Sequence, residues 1–141
     1  MIATTFAILC GTASGVLLLA RFMDRDRFHA PGFSIGYLIA LTLVYPVICA
    51  VNGLSDELQL HVLLAGLCAA IALAGFAFGF VPVIAAYFVH AMVSVGVAVR
   101  DDPLTFGPSA LHAHLPGFAA AYAVTFGVGL ILLTRDDRSL R

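Results

Sequence analysis

The most constraining feature of this sequence is the segment Val62–Val99, which carries no Asp, Glu, Lys or Arg over 38 residues. A single straight helix of that length would be about 57 Å long, nearly twice the roughly 30 Å hydrocarbon core of a bilayer. The segment therefore predicts two membrane-spanning helices joined by a tight turn. We place the turn at Gly79 to Pro82, because Gly79 can leave the helical region and Pro82 fits the first turn of the next helix.

The composition favours the same class of protein. Hydrophobic residues make up 62% of the 141 residues and charged residues 11%, with a mean hydropathy of +1.05. An average soluble domain is about 25% charged. The sequence therefore predicts an all-α integral membrane protein whose main partner is the lipid bilayer. The net charge of −1 predicts no nucleic-acid partner, because such a partner requires a basic patch.

The other apolar segments extend this prediction to a bundle of five transmembrane helices in a single domain, residues 1–141. The first segment has no basic region before it and Arg21 after it, which is typical of a true span and not of a cleaved signal peptide. The predicted spans are about 2–22, 33–51, 57–79, 82–99 and 115–134.

Residues near the predicted helix ends carry capping signals. Gly53 follows the second span, at the position where a helix C-cap favours glycine. Ser55 is predicted to cap the third helix, with Asp56 and Glu57 in its first turn, where negative charge is favoured. Pro116 is predicted in the first turn of the fifth span, where its missing N–H is tolerated.

The basic residues predict how the bundle is oriented. All seven are arginines, at positions 21, 25, 27, 100, 135, 138 and 141. Five spans place six of them on one side and Arg100 on the other, whereas four spans would divide them four to three. The positive-inside rule therefore favours five spans, with the N-terminus outside and the C-terminus in the cytoplasm. Arginine as the sole strong base and the high alanine content favour a bacterial inner membrane.

Small residues recur at helical spacing in three of the spans. Such faces let helices approach closely in lipid, where packing replaces the hydrophobic effect. They are open to two interpretations, a homodimer interface or packing inside the bundle, and the second is favoured because five helices need several such contacts. The residues are Gly11 and Gly15 in the first span, Gly75 and Gly79 in the third, and Ala119, Ala123 and Gly127 in the fifth.

Polar residues inside the spans are the first candidates for a functional site, because each needs a partner in hydrocarbon. Tyr87, His90 and Ser94 share one face of the fourth span. The second span carries Thr42 and Tyr45 before a proline, which is expected to kink the helix and to free the Thr42 carbonyl.

His90 is open to three interpretations. It belongs to a hydrogen-bonded cluster in the bundle core, relays protons, or is the axial ligand of a haem or a chlorophyll-type pigment. A haem held by two histidines would need a partner subunit, because His90 is the one histidine predicted inside the spans. The cofactor, if there is one, is unknown.

A second histidine constellation is predicted at the outer mouth of the bundle. His61, His112 and His114 fall on the outer side in the five-span topology, and Glu57 precedes His61 by four residues on the same helical face. These nitrogen and oxygen donors suit zinc or copper. The alternative is an interfacial loop whose histidines contact headgroups and water.

The sequence contains no catalytic motif and no acidic residue in the interior of a predicted span. It therefore does not indicate an enzyme, and no catalytic residue is predicted. The leading hypothesis is a non-catalytic accessory or structural subunit of a larger membrane complex, or a homo-oligomer. One alternative is a carrier or channel for a small solute or metal ion. Another is a haem- or pigment-binding membrane protein that uses His90.

Overall fold

A computed structural model describes the backbone of residues 2–23, 31–99 and 110–139, and the side chains of residues 4–21, 31–99 and 114–135. Every regular element within these ranges is a helix. The helices are α1 (Ile2–Met23), α2 (Gly32–Thr42), α3 (Val44–Val51), α4 (Ser55–Leu73), α5 (Gly75–Phe78), α6 (Phe80–Val99) and α7 (Ala110–Ser139).

Five of the helical segments are long and apolar enough to cross a membrane. The prediction of an all-α, five-span membrane protein is confirmed in this form. Helices α2 and α3 together make the second span, and α4 with α5 makes the third. The segments are Thr4–Arg21, Gly32–Val51, Ser55–Phe78, Phe80–Val99 and His114–Arg135.

The turn inside the long uncharged segment is at the predicted place. Gly79 follows α5 with φ 75° and ψ −151°, a conformation open essentially to glycine alone, and α6 begins at Phe80. Pro82 lies in the first turn of α6. The chain therefore turns back over a single residue between the third and fourth spans.

Replacing Gly79 with alanine is expected to destabilise the protein by about 1 to 3 kcal/mol, because a Cβ is strained at this φ and ψ. No described side chain crowds this position, so the backbone conformation alone is tested. Thermal unfolding in detergent, monitored by circular dichroism, measures the effect. Gly66→Ala, in the middle of α4 with open space around its Cβ, is the control, and an equal melting temperature for the two variants would contradict the expectation.

The ends of the second and third spans agree with their capping signals in part. Gly53 has φ 69° just after the Asn52 C-cap of α3, and Asp56 and Glu57 lie in the first turn of α4. The prediction that Ser55 caps α4 is wrong. Leu54 is the N-cap and makes no side-chain cap. Its carbonyl accepts the first helical bond, from the Leu58 N–H at 2.8 Å, so Ser55 is already the first helical residue.

The second span is interrupted near its middle, as expected from Pro46. Proline has no N–H to donate to the Thr42 carbonyl, and α2 ends at Thr42. The Thr42 hydroxyl donates to the Ile39 carbonyl at 2.9 Å. Leu43 keeps right-handed helical angles, so α3 continues across the bilayer after the interruption.

The last helix begins earlier than predicted. Helix α7 starts at Ala110, so Pro116 lies inside the helix and not in its first turn. The apolar stretch predicts where hydrocarbon begins, but a helix can extend into the polar interface beyond it. Alanine and leucine, both good helix formers, occupy the first two positions of this extended end.

The order of contacts along the helices shows which spans run in the same direction. A Cβ on Gly11 would meet Phe118, one on Gly15 would meet Thr125, and one on Gly129 would meet Leu19. Contacts that advance together along both helices mean that α1 and α7 run parallel. The end of α1 and the end of α7 therefore emerge on the same side of the bundle, which we call the C-terminal side; the opposite side is the N-terminal side.

The small-residue faces pack inside this chain. At Gly11 an added Cβ would collide with the backbone carbonyl of Phe118. Gly127 lies against the Phe88 and Tyr87 side chains of α6, and Ala119 and Ala123 are buried. Gly75 lies against Val83 and Ile35. Gly79 has open space around it within the described structure, so it serves the turn and not a close approach of helices.

Candidate functional site

Polar side chains from four helices meet in the half of the bundle near the N-terminal side. We call Thr42, Tyr45, His61, His90 and Ser94 the interior polar cluster. They come from α2, α3, α4 and α6, and all five are buried. Tyr45 lies six residues before the end of α3 and His61 six residues after the start of α4. At 1.5 Å per residue both are about 9 Å inside the bundle.

The Tyr45 ring packs against both imidazole rings of this cluster. Its ring stacks on His61 with centroids 5.3 Å apart and an interplanar angle of 21°. Its ring centroid is 6.2 Å from that of His90, at 41°. Its hydroxyl donates to Ser94 Oγ at 3.2 Å. Tyr45 therefore links α3, α4 and α6 through one side chain.

The hydrogen bond from Tyr45 to Ser94 is expected to contribute about 1 kcal/mol to the free energy of unfolding, because both groups are buried. Tyr45→Phe should lower the melting temperature accordingly. A double-mutant cycle with Ser94→Ala isolates the pairwise contribution. The double variant should lose less than the sum of the two single losses, and strict additivity would mean that the bond contributes nothing.

His90 carries a buried polar atom that no hydrogen bond satisfies within the described structure. The residue is 2% exposed, and its Nε2 atom is buried without a hydrogen-bond partner among the described residues. Leaving such an atom unpaired costs about 1 to 3 kcal/mol. Buried polar atoms of this kind occur where a water, an ion or a functional role accounts for them.

A small cavity adjoins His90. Its volume is about 10 Å³, which is close to the room that one water molecule needs. The titratable side chains in its wall are Tyr45 from α3, His61 and Cys68 from α4, and His90 from α6. The cavity therefore suits a single small polar molecule, such as a water, surrounded by imidazole and phenol groups.

His61 lies in the interior next to His90, and not in a group with the histidine of α7. It is buried, and it lies inside the third span, so the count of one histidine within the spans is wrong. Glu57 Oε2 lies 4.0 Å from His61 Nε2, and the Glu57 side chain is 27% exposed. Glu57 thus connects the buried imidazole with the membrane surface on the N-terminal side.

The residues of the predicted outer metal site lie on two helices, α4 and α7. Helix α4, which carries Glu57 and His61, packs on α2, α3 and α6, whereas α7 packs on α1 and α6. His114 is half-buried on α7, and the His112 side chain lies outside the described residues. Among the described side chains, no group of three or more His, Cys, Asp or Glu residues lies close enough to hold a metal ion.

A haem or pigment macrocycle does not fit next to His90. The adjoining cavity is of single-water size. The ring centroid of Tyr45 lies 6.2 Å from that of His90 and 5.3 Å from that of His61. A porphyrin between these side chains would have to displace Tyr45 and break its bond to Ser94. The geometry therefore favours a water or a proton over a macrocycle.

Tyr87 belongs to a different layer, although it shares a helical face with His90. Its hydroxyl donates to the Ser34 carbonyl at 3.2 Å. Its ring centroid is 4.8 Å from that of Phe126, which also lies 6.0 Å from Tyr122 and 6.5 Å from Tyr37. This aromatic layer joins α2, α6 and α7, and it lies nearer to the C-terminal side than the interior polar cluster does.

The one member of the interior polar cluster that sequence reasoning misplaced is His61. Its helical face carries the signal that would have found it. The buried residues of α4 are His61, Ala65, Cys68 and Ala72, spaced four, three and four apart. That spacing is typical of an interior stripe on an α-helix, and His61 begins the stripe.

Known proteins offer no guide to this site. Comparison with family models, with curated proteins and with solved structures finds no match. The chemistry of the interior polar cluster is therefore the basis for assigning a function.

Proposed function

We propose that this integral membrane protein binds and transfers a proton at His90, in the manner of a small carrier or relay. The observation that carries the proposal is the buried Nε2 atom of His90, which has no hydrogen-bond partner among the described side chains and adjoins a cavity of single-water size. A neutral imidazole accepts a proton at one nitrogen and releases one from the other, which suits it to this role.

Glu57 and His61 supply the entry from the N-terminal side. A proton on His61 forms an ion pair with Glu57 across the 4.0 Å between Nε2 and Oε2. The next titratable groups inward are Tyr45, stacked on His61, and then His90. A water in the cavity that His61, Tyr45 and His90 share completes this route, since a bridging water carries a hydrogen bond nearly as well as a direct contact.

The N-terminal side is proposed to be the outside of a bacterial inner membrane. The charged side chains that the structure describes are segregated by sign. Asp56 and Glu57 lie at the start of α4, on the N-terminal side, and Arg21 and Arg135 lie near the ends of α1 and α7, on the C-terminal side. Arginine on the cytoplasmic side agrees with the positive-inside rule. The other arginines that entered the prediction have side chains outside the described residues, at positions 25, 27, 100, 138 and 141.

Proton movement is tested with the purified protein in vesicles. A potassium gradient with valinomycin supplies the driving force, and a trapped dye reports the internal pH. The proposal predicts proton uptake faster than in protein-free vesicles of the same lipid. A rate equal to that of protein-free vesicles, for protein that is folded and inserted in both orientations, would contradict it.

A second candidate function is that of an accessory subunit or homo-oligomer, and the position of α1 favours it. Helix α1 packs mainly on α7 among the described helices. Leu17 is 70% exposed and Phe6 67% exposed on its outer surface. A further helix has room to pack there. Native mass spectrometry from mild detergent distinguishes the cases, because an assembly retains a second chain and a lone carrier does not.

A further inference from the structure

A groove opens at the C-terminal side of the bundle, far along the helices from His90. It lies between the start of α6 and the end of α7 and has a volume of about 410 Å³. It is lined by Val81 and Ile84 from α6 and by Ile131, Thr134 and Arg135 from α7. The lining therefore combines apolar side chains with one positive charge.

Arg135 is the one charged residue that lines the groove among the described side chains. The Thr134 hydroxyl donates to the Leu130 and Ile131 carbonyls, at 2.8 and 3.1 Å, so it is engaged within α7. Arg135 is exposed and is the last residue of the fifth span. A guanidinium at this depth faces the headgroup region, where lipid phosphates are its complementary partners.

We propose that this groove binds one phospholipid with an anionic headgroup. The phosphate lies against the Arg135 guanidinium, and an acyl chain lies along Val81, Ile84 and Ile131. Charge complementarity supports this occupant, because both charged side chains described on the C-terminal side, Arg21 and Arg135, are positive. Val81 and Arg135 lie at the ends of their spans, and Ile84 and Ile131 lie about one helical turn deeper, so the lining extends from the span boundary into the hydrocarbon region.

Native mass spectrometry with added lipid tests the proposal. Phosphatidylglycerol and phosphatidylcholine of equal chain length are titrated into the delipidated protein. One phosphatidylglycerol should be retained, and Arg135→Gln should weaken its binding about tenfold, because a charge-assisted contact is lost. Val81→Trp, which fills part of the groove from an exposed position, should weaken it as well.

Arg21→Gln is the matched control, because Arg21 is exposed on the same side and does not line the groove. Its binding of phosphatidylglycerol should equal that of the unchanged protein. The proposal is overturned if Arg21→Gln and Arg135→Gln weaken binding equally, since that would mean general attraction of anionic lipid. It is also overturned if phosphatidylcholine binds as tightly, or if inorganic phosphate displaces the lipid.

Discussion

His90→Ala is expected to reduce proton movement to the rate of protein-free vesicles. The substitution removes the imidazole that faces the interior cavity and leaves the Tyr45 bond to Ser94 in place. Removal of the side chain also enlarges the cavity, but water can occupy the added space among polar neighbours. The loss of transport should therefore exceed any loss of folded protein, which size-exclusion chromatography and circular dichroism measure in the same preparation.

The control for this prediction is another histidine of the same chain. His114→Ala changes a half-buried imidazole on α7, outside the cavity wall. It should leave proton movement unchanged. His61→Gln should slow the transfer, because glutamine keeps a polar group beside Glu57 and Tyr45 but cannot carry the proton. If His90→Ala transports protons at the unchanged rate, His90 is a core residue only.

Gly11→Ala is expected to destabilise the bundle by about 2 kcal/mol, and Gly11→Leu by more, through overpacking. The added Cβ would collide with the Phe118 carbonyl, a backbone atom that moves only if α1 and α7 separate. Because α1 packs mainly on α7 within the described structure, the close approach of these two helices holds it in place. Thermal unfolding in detergent measures the loss.

Gly36→Ala is the control for this packing prediction. Gly36 lies inside α2, and nothing among the described residues lies within 4 Å of its Cβ position. Its replacement should be neutral or stabilise the helix by up to about 1 kcal/mol, since alanine is the better helix former. Equal melting temperatures for Gly11→Ala and Gly36→Ala would show that α1 does not approach α7 closely.

The length of the uncharged segment and the placement of charge are sufficient to predict the number of spans and where the chain folds back. An uncharged segment that would be nearly twice the thickness of the bilayer as one helix must fold back, and Gly79 is the residue that tolerates the required φ. The interruption of the second span near Pro46 follows from the chemistry of proline. These features depend on a few neighbouring residues, which is why the linear sequence reveals them.

The partner of each helical face is not predictable in the same way. Periodicity shows that Gly11 and Gly15 share a face, but it does not say that α7 lies opposite. The bond from Tyr45 to Ser94 joins residues 49 positions apart. The five-span topology puts His61 at the outer end of the third span, whereas its burial depends on α3 and α6 packing against α4.

The most direct measurement of the central claim is the protonation of His90 in a lipid bilayer. Solid-state ¹⁵N NMR of histidine-labelled protein resolves neutral and charged imidazoles, and His90→Asn identifies the resonance of His90. We expect the N–H of this imidazole to exchange with deuterated water, because proton transfer requires the ring to accept and release protons. An imidazole N–H that does not exchange with deuterated water would contradict proton transfer at His90.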